Sequence, residues 1–173
     1  MTLNCTRKLI RRLPFPIVEI PQPSTSKLGP WCAISFNVGR VPLVIFTNER
    51  SLLSVLVPVK EIRTLHSRFL TSLEVLFHSI GVSSVQARDE LDEMKVVQVT
   101  SKTNRRTLGS MNDFVYHVSG ALQDNPGDSL ENIALHLSKV PCAPLRYGYP
   151  REAALNFLDP PPHAKRKGDS LNQ

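Results

Sequence analysis

The densest run of side chains able to recognise a ligand is Asn104-Arg105-Arg106-Thr107-Leu108-Gly109-Ser110. Two adjacent guanidiniums ahead of a helix start make an anion site, because the first N–H groups of a helix are unpaired and arginine forks onto phosphate oxygens. Ser110 followed by Asp113 resembles a capping box, and Gly109 gives the backbone freedom to turn into the helix. The same residues also read as a structural cap flanked by solvated arginines. Asn112 stands just inside the expected helix start, where propensity does not favour it. Its amide either ties the loop to the Thr47-Asn48 hairpin end or reads a ligand. The candidate binding residues are therefore Asn104, Arg105, Arg106, Ser110 and Asn112.

Ser110, Asp113 and His117 fall on one helical face, which invites a Ser-His-Asp reading. At 1.5 Å of rise per residue, Ser110 and His117 would stand about 10 Å apart, too far for a direct hydrogen bond. Asp113 and His117 stay as candidate catalytic residues for acid/base work on a phosphate-bearing substrate, with Arg105 as the charge clamp. A nuclease-like centre would need a second carboxylate, such as Glu49. His66, His78, His117, His136 and His163 are scattered, with neither an H-x-x-x-H nor an H-E-x-x-H pair, so no metal site is expected. No G-x-x-x-x-G-K-[ST] or G-x-G-x-x-G string is present, and no cofactor is implied. Aromatic residues, at 6%, are not interleaved with the basic ones, so a base-stacking surface for single strands is not indicated.

These residues need a scaffold, and the pattern of apolar positions supplies one. Thr6–Leu13 has helical spacing, capped by Thr6 and stopped by Pro14, with Arg7, Lys8, Arg11 and Arg12 on its outer face. A Pro/Ser-rich connector fills 14–30. Trp31–Val38 and Val41–Thr47 form a hairpin about Gly39-Arg40, largely apolar and therefore covered on at least one face. Leu52–Val57 is a strand or a short helix; periodicity does not separate the two. Lys60–Ile80 is a core helix, with Ile62, Leu65, Phe69, Leu73, Leu76, Phe77 and Ile80 in one stripe and Gly81 closing it. Arg88–Lys95 is acidic and reads as a solvated turn, and Lys95–Thr100 as a strand. Thr103–Gly109 reads as a polar loop, Met111–Leu122 as a helix, and Ser129–Val140 as a helix capped by Ser129. Residues 142–158 read as irregular, and Pro160–Gln173 as a disordered basic tail. The expected fold is α+β: a small, mainly antiparallel sheet with helices packed mostly on one face, forming one domain over 1–158.

Bulk composition sets the outer limits. At 173 residues, with 41% apolar and 21% charged residues, the chain is long enough for a single core and too apolar for wholesale disorder. The longest apolar stretch, Leu52–Val59, is interrupted by Ser54 and Pro58, far short of the roughly 20 residues that span a bilayer. The N-terminal residues lack a signal-peptide pattern, so no membrane association and a cytoplasmic location are expected. Cys5, Cys32 and Cys142 form no C-x-x-C pair and read as idle buried thiols. The net charge of +6 is a mild bias toward a polyanionic partner. The basic face of the first helix and the Lys165–Lys167 tail read first as solvated charge.

Six stretches together resemble the bacterial domain-of-unknown-function 6933 family. The string Thr103–Asp113, T-N-R-R-T-L-G-S-M-N-D, is similar to the family's T-x-x-R-S-x-L-G-S-M-N-D, with Arg106 where the family more often has Ser. Cys5–Leu9 resembles its C-T-x-K-L opening. Trp31-Cys32-Ala33, Val44–Glu49 and Leu52–Pro58 resemble its tryptophan-led hairpin, F-T-N ending and following apolar segment. Leu145–Pro150 resembles its closing element. The likeness covers roughly residues 1–150. It implies a bacterial origin, often near mobile elements, and carries no activity with it. Two function classes are expected from the residues: a binding module for nucleic acid, another polyanion or a protein partner, and an enzyme built on Asp113 and His117. The lack of a complete catalytic constellation favours binding.

Overall fold

Alternation in Trp31–Val38 and Val41–Asn48 produces the expected hairpin, here β2 and β3, paired antiparallel from Trp31↔Asn48 to Val38↔Val41. Its two-residue turn needs a left-handed residue, and Gly39 supplies one at φ 56°. The computed structural model describes residues 1–102 and 104–160; the tail expected from Pro160 onward, beyond Pro160 itself, and the first residue of the T-N-R-R string, Thr103, lie outside the described residues. β4 (Ser54–Pro58) extends the sheet antiparallel to β3, which resolves the ambiguous Leu52–Val57 segment as strand. On the other side of β2 come β1 (Thr2–Cys5) and β5 (Gln98–Thr100), both parallel to their neighbours, giving the order β4-β3-β2-β1-β5. Antiparallel pairing dominates by length, and the fold is α+β.

Both faces of this sheet are covered, which explains why β3 and β4 are almost continuously apolar. On one face Trp31, Ala33, Val44, Phe46, Val55 and Val57 meet α2 (Leu65–Ile80) through Leu65, Phe69, Leu73, Leu76 and Phe77. Phe69 stacks on Phe46 at 4.3 Å between ring centroids and meets Trp31 edge-on at 5.1 Å. α1 (Arg7–Ile10), α3 (Ser84–Met94) and α6 (Pro150–Leu158) add Leu9, Ala87, Met94, Ala154 and Leu158 to the same core, so most of the helices share this face. On the other face Cys32, Leu43, Ile45 and Leu56 meet α4 (Arg105–Asp124) and α5 (Leu130–Leu137) through Met111, Phe114, Val118, Ile133 and Leu137.

The sequence reading needs correction at several places. The first helix is confined to Arg7–Ile10, and among the described residues no side-chain bond from Thr6 caps it. The long core helix starts at Leu65, after a 3₁₀ turn at Ile62–Thr64. β1 is a strand, although its four residues show little pattern; it is fixed by partners far along the chain, Trp31–Ala33 and Gln98–Thr100. The strand expected over 95–100 is confined to Gln98–Thr100. The acidic stretch 88–95 is not a turn. It belongs to α3, capped by Ser83, whose side chain accepts from Gln86 N. Ala87, Glu90 and Met94 form its buried stripe, and Glu90 escaped notice because its burial is satisfied by polar partners rather than apolar ones. Its carboxylate accepts from Ser26 Oγ at 2.6 Å, Lys27 N at 2.8 Å and Leu28 N at 2.9 Å, fastening the Pro-rich connector to the body. The last stretch is not wholly irregular: α6 docks with the Arg50 guanidinium 3.8 Å from the Phe157 ring centre and Lys27 Nζ donating to Leu158 O. Finally, α4 begins at Arg105, so most of the expected polar loop is helical.

Candidate functional site

The start of α4 is built by a polar row that crosses the sheet. Ser54, Thr47, Cys32, Asn4 and Thr100 are successive partners across all five strands. Side chains in this row bond along it: Thr47 Oγ1 and Ser54 Oγ are 2.8 Å apart, and Thr100 Oγ1 donates to Asn4 Oδ1 at 2.6 Å. Glu49, just past the end of β3, accepts from Asn4 Nδ2 at 2.5 Å and from Cys32 Sγ at 3.0 Å through one oxygen. Its other oxygen lies 3.5 Å from Asn104 Nδ2. Asn104 Oδ1 in turn accepts from the backbone N–H groups of Arg106 and Thr107 at 3.0 and 3.4 Å, so Asn104 is the helix cap. Burial first, and then the bond to Glu49, hold the Cys32 thiol well above its ordinary range.

This arrangement revises several expected roles. Ser110 is not a cap; it lies in the second turn of α4, and Gly109 is helical, with a Cβ there meeting nothing within 4 Å. Two of the free N–H groups expected to hold an anion are taken by Asn104. Asn112 is exposed and makes no side-chain hydrogen bond among the described residues, so the tie to the hairpin end runs through Asn104 and Glu49 instead. Asn48 organises a different loop, since its Oδ1 accepts from Arg50 N, Ser51 N and Ser51 Oγ while its Nδ2 donates to Leu28 O and Pro30 O. Arg106 donates to Pro144 O, whereas Arg105 is exposed and unpaired among the described residues.

Further along α4, Ser110, Asp113 and His117 do come together as the helical spacing requires, lining one cleft of about 420 Å³. The facing wall is the segment Val140–Pro144 with Tyr147. Here the backbone is unusual: Arg146 and Tyr147 are consecutive non-glycine residues in the left-handed region, at φ 54° and 62°. Such residues cost of order 1–3 kcal/mol each and persist only where surrounding structure holds them. The holding contacts are Cys142 N to Gly148 O at 3.0 Å, Tyr147 N to Cys142 O at 2.9 Å, and Arg106 to Pro144 O. A Cβ on Gly148 would stand 3.0 Å from Leu145 O, so the turn also needs that glycine. Burial, and then the Asp113 carboxylate, push the Cys142 thiol up to about 11.

Asp113 and His117 are exposed and make no hydrogen bond or ion pair among the described residues. Among those residues, no three His, Cys, Asp or Glu side chains gather as a metal site, and no helix is long and apolar enough to cross a membrane. Sequence reasoning missed Asn4, Cys32, Thr100 and Tyr147. The first three meet only through parallel pairing of distant strands, and Tyr147 is placed by a turn that its composition does not announce.

A search of curated proteins and a search of solved structures each gave no match. The sequence profile of the family described as Domain of unknown function (DUF6933) matches residues 2–153, which include the polar row, the α4 start and the Val140–Tyr147 wall. With nearly the whole described chain covered, this protein belongs to the DUF6933 family.

Proposed function

We propose that the protein is a binding module that contacts a polyanion, nucleic acid being the commonest chemistry of that kind, through the end of the sheet where β1 and β5 finish. The observation that carries this reading is the parallel pairing Asn4↔Thr100. Strands paired in this way end on the same side, so the basic segments that follow them leave from one edge. After β1 come Arg7, Lys8, Arg11 and Arg12; after β5 come Lys102, Arg105 and Arg106. α1 turns toward one face of the sheet and α4 toward the other, so these cations flank that edge. All seven are exposed, and none has an ion pair among the described residues, where Lys95–Asp92 is the one such pair. The α1 cations, read from sequence as solvated charge, thereby join those of α4 in one candidate surface. Unpaired cations of this kind release counterions from a nucleic-acid backbone on binding, and that release supplies sequence-independent affinity. A bacterial, mobile-element setting is compatible with such a role.

The test is fluorescence anisotropy with labelled duplex DNA, single-stranded DNA and RNA, comparing the wild type with Lys102→Ala/Arg105→Ala and with Arg7→Ala/Lys8→Ala. Both variants should weaken binding about equally across sequences, because phosphate contacts position without reading bases. Unchanged affinity in both would refute the surface. Arg106 is left intact because its bond to Pro144 O supports the neighbouring loop. The gathering of Ser110, Asp113 and His117 in one cleft favours a second reading, an enzyme acting on a phosphate-bearing substrate. Under that reading, turnover of such a substrate would disappear in Asp113→Ala and His117→Ala while folding is retained.

A further inference from the structure

The cleft between α4 and the Val140–Tyr147 segment has two unlike walls. The α4 wall carries polar groups at successive turns: the Ser110 hydroxyl, the Asp113 carboxylate and the His117 imidazole. Ser110 is 7% exposed, with its side chain on the lining of the cleft. The hydroxyl faces the open cleft, where it can donate to or accept from a ligand. The opposite wall is largely apolar: Val140, Pro141, Ala143 and Pro144 have no side-chain donor or acceptor, and the Cys142 thiol among them donates to Val140 O at 3.4 Å. Tyr147 stands at its edge, 73% exposed, on a backbone held in the left-handed region. An aromatic ring displayed to solvent on a strained, clamped turn is preorganised to stack.

We infer that this cleft binds a nucleobase-type ring carrying an exocyclic amino group, stacked on Tyr147 with its polar edge toward α4. The edge chemistry selects that class. The Asp113 carboxylate offers acceptor oxygens, so it pairs with an amino donor better than with a carbonyl; the Ser110 hydroxyl donates or accepts and so suits a ring nitrogen beside that amine. The faces of such a ring are apolar, matching the Pro-lined wall and the tyrosine. At about 420 Å³ the cleft lies within the roughly 300–1,000 Å³ of small-molecule sites. The inference does not depend on the polyanion surface, because a base without its phosphate carries no charge for that surface to hold.

Calorimetric titration of the full chain with the uncharged nucleosides adenosine, cytidine and uridine separates the two proposals. Adenosine and cytidine should bind, insensitive to salt, with uridine weaker by about tenfold because O4 stands where cytidine carries its amino group. Tyr147→Ala and Asp113→Ala should each lose about tenfold in adenosine affinity, Ser110→Ala several-fold, and Tyr147→Phe should keep binding. Circular dichroism and the melting curve check that each variant is folded. No binding of adenosine up to its solubility, equal binding of uridine, or wild-type affinity in folded Tyr147→Ala would overturn the inference. Salt-dependent DNA binding alongside absent nucleoside binding would sink the cleft and leave the basic surface standing.

Discussion

Replacing Glu90 with alanine removes the acceptor for three donors at once, Ser26 Oγ, Lys27 N and Leu28 N, at 2.6, 2.8 and 2.9 Å. Hydrogen bonds to a charged group contribute about 1.5–3 kcal/mol each, but alanine also removes a carboxylate whose burial was costly. What remains is the cost of the orphaned donors: Leu28 is fully buried, whereas Lys27 is exposed and its N–H can rehydrate. The net loss should be about 3 kcal/mol, seen as a melting temperature lower by roughly 6–12 °C for a chain of this size. Glu90→Gln keeps one oxygen for Ser26 and Leu28 and turns an amino group toward Lys27 N, so it should lose roughly half as much. Asp89→Ala, one residue away and exposed, should stay within about 0.5 kcal/mol. Urea denaturation followed by circular dichroism measures all three. If Glu90→Ala and Asp89→Ala were equally mild, Glu90 would not anchor the connector, and the sequence reading of this stretch as solvated would be the better one.

Three further outcomes follow from the same contacts. Asn104→Ala, which uncaps α4 at Arg106 N and Thr107 N, should destabilise the protein by about 1 kcal/mol, and Asn104→Asp, which keeps the acceptor but turns a second carboxylate toward Glu49, should recover only part of it in the same denaturation assay. His66, whose Nε2 is 3.1 Å from Met94 O, has its imidazole pKa lowered by burial, so the unfolded chain takes up a proton first. The stability His66 contributes is complete above its ordinary value of 6.5 and is lost as pH falls through the lower folded value; His66→Gln should flatten that part of a pH–stability curve, and an unchanged curve would contradict the assignment. Burial pushes the Cys5 thiol up to about 12 and Cys32 higher still, whereas Cys142 opens on the cleft. Alkylation of the native protein followed by mass spectrometry should therefore mark Cys142 first, and early marking of Cys32 would contradict its bond to Glu49.

Elements whose identity is carried by a local apolar pattern were legible in the sequence. The Trp31–Asn48 hairpin, the stripe of α2 from Leu65 to Phe77 and the Ser129 cap of α5 all follow from spacing alone. Elements defined by long-range or polar contacts were not. β1 is a strand because two distant segments pair with it, and α3 is a helix whose inward stripe contains a glutamate. The α4 boundary went astray for a related reason. Arg105, Arg106 and Gly109 look like loop residues, but Asn104 starts the helix before them, positioned by Glu49 from across the sheet. Within the candidate site, the helical face of Ser110, Asp113 and His117 was readable from i, i+3, i+7 spacing. The wall it faces was not, because two left-handed residues at Arg146-Tyr147 have no sequence signature comparable to glycine.

The central claim is that unpaired cations after β1 and β5 contact a polyanion, and its most direct measurement is the salt dependence of DNA binding. Plotted as the logarithm of affinity against the logarithm of salt concentration, the wild type should fall linearly, with a slope of about −0.9 for each phosphate neutralised. Lys102→Ala/Arg105→Ala should make that slope shallower by about 2 while leaving the fold intact. A slope identical in wild type and variant, or no binding at low salt, would contradict the claim and leave the cleft beside Tyr147 as the surface to pursue.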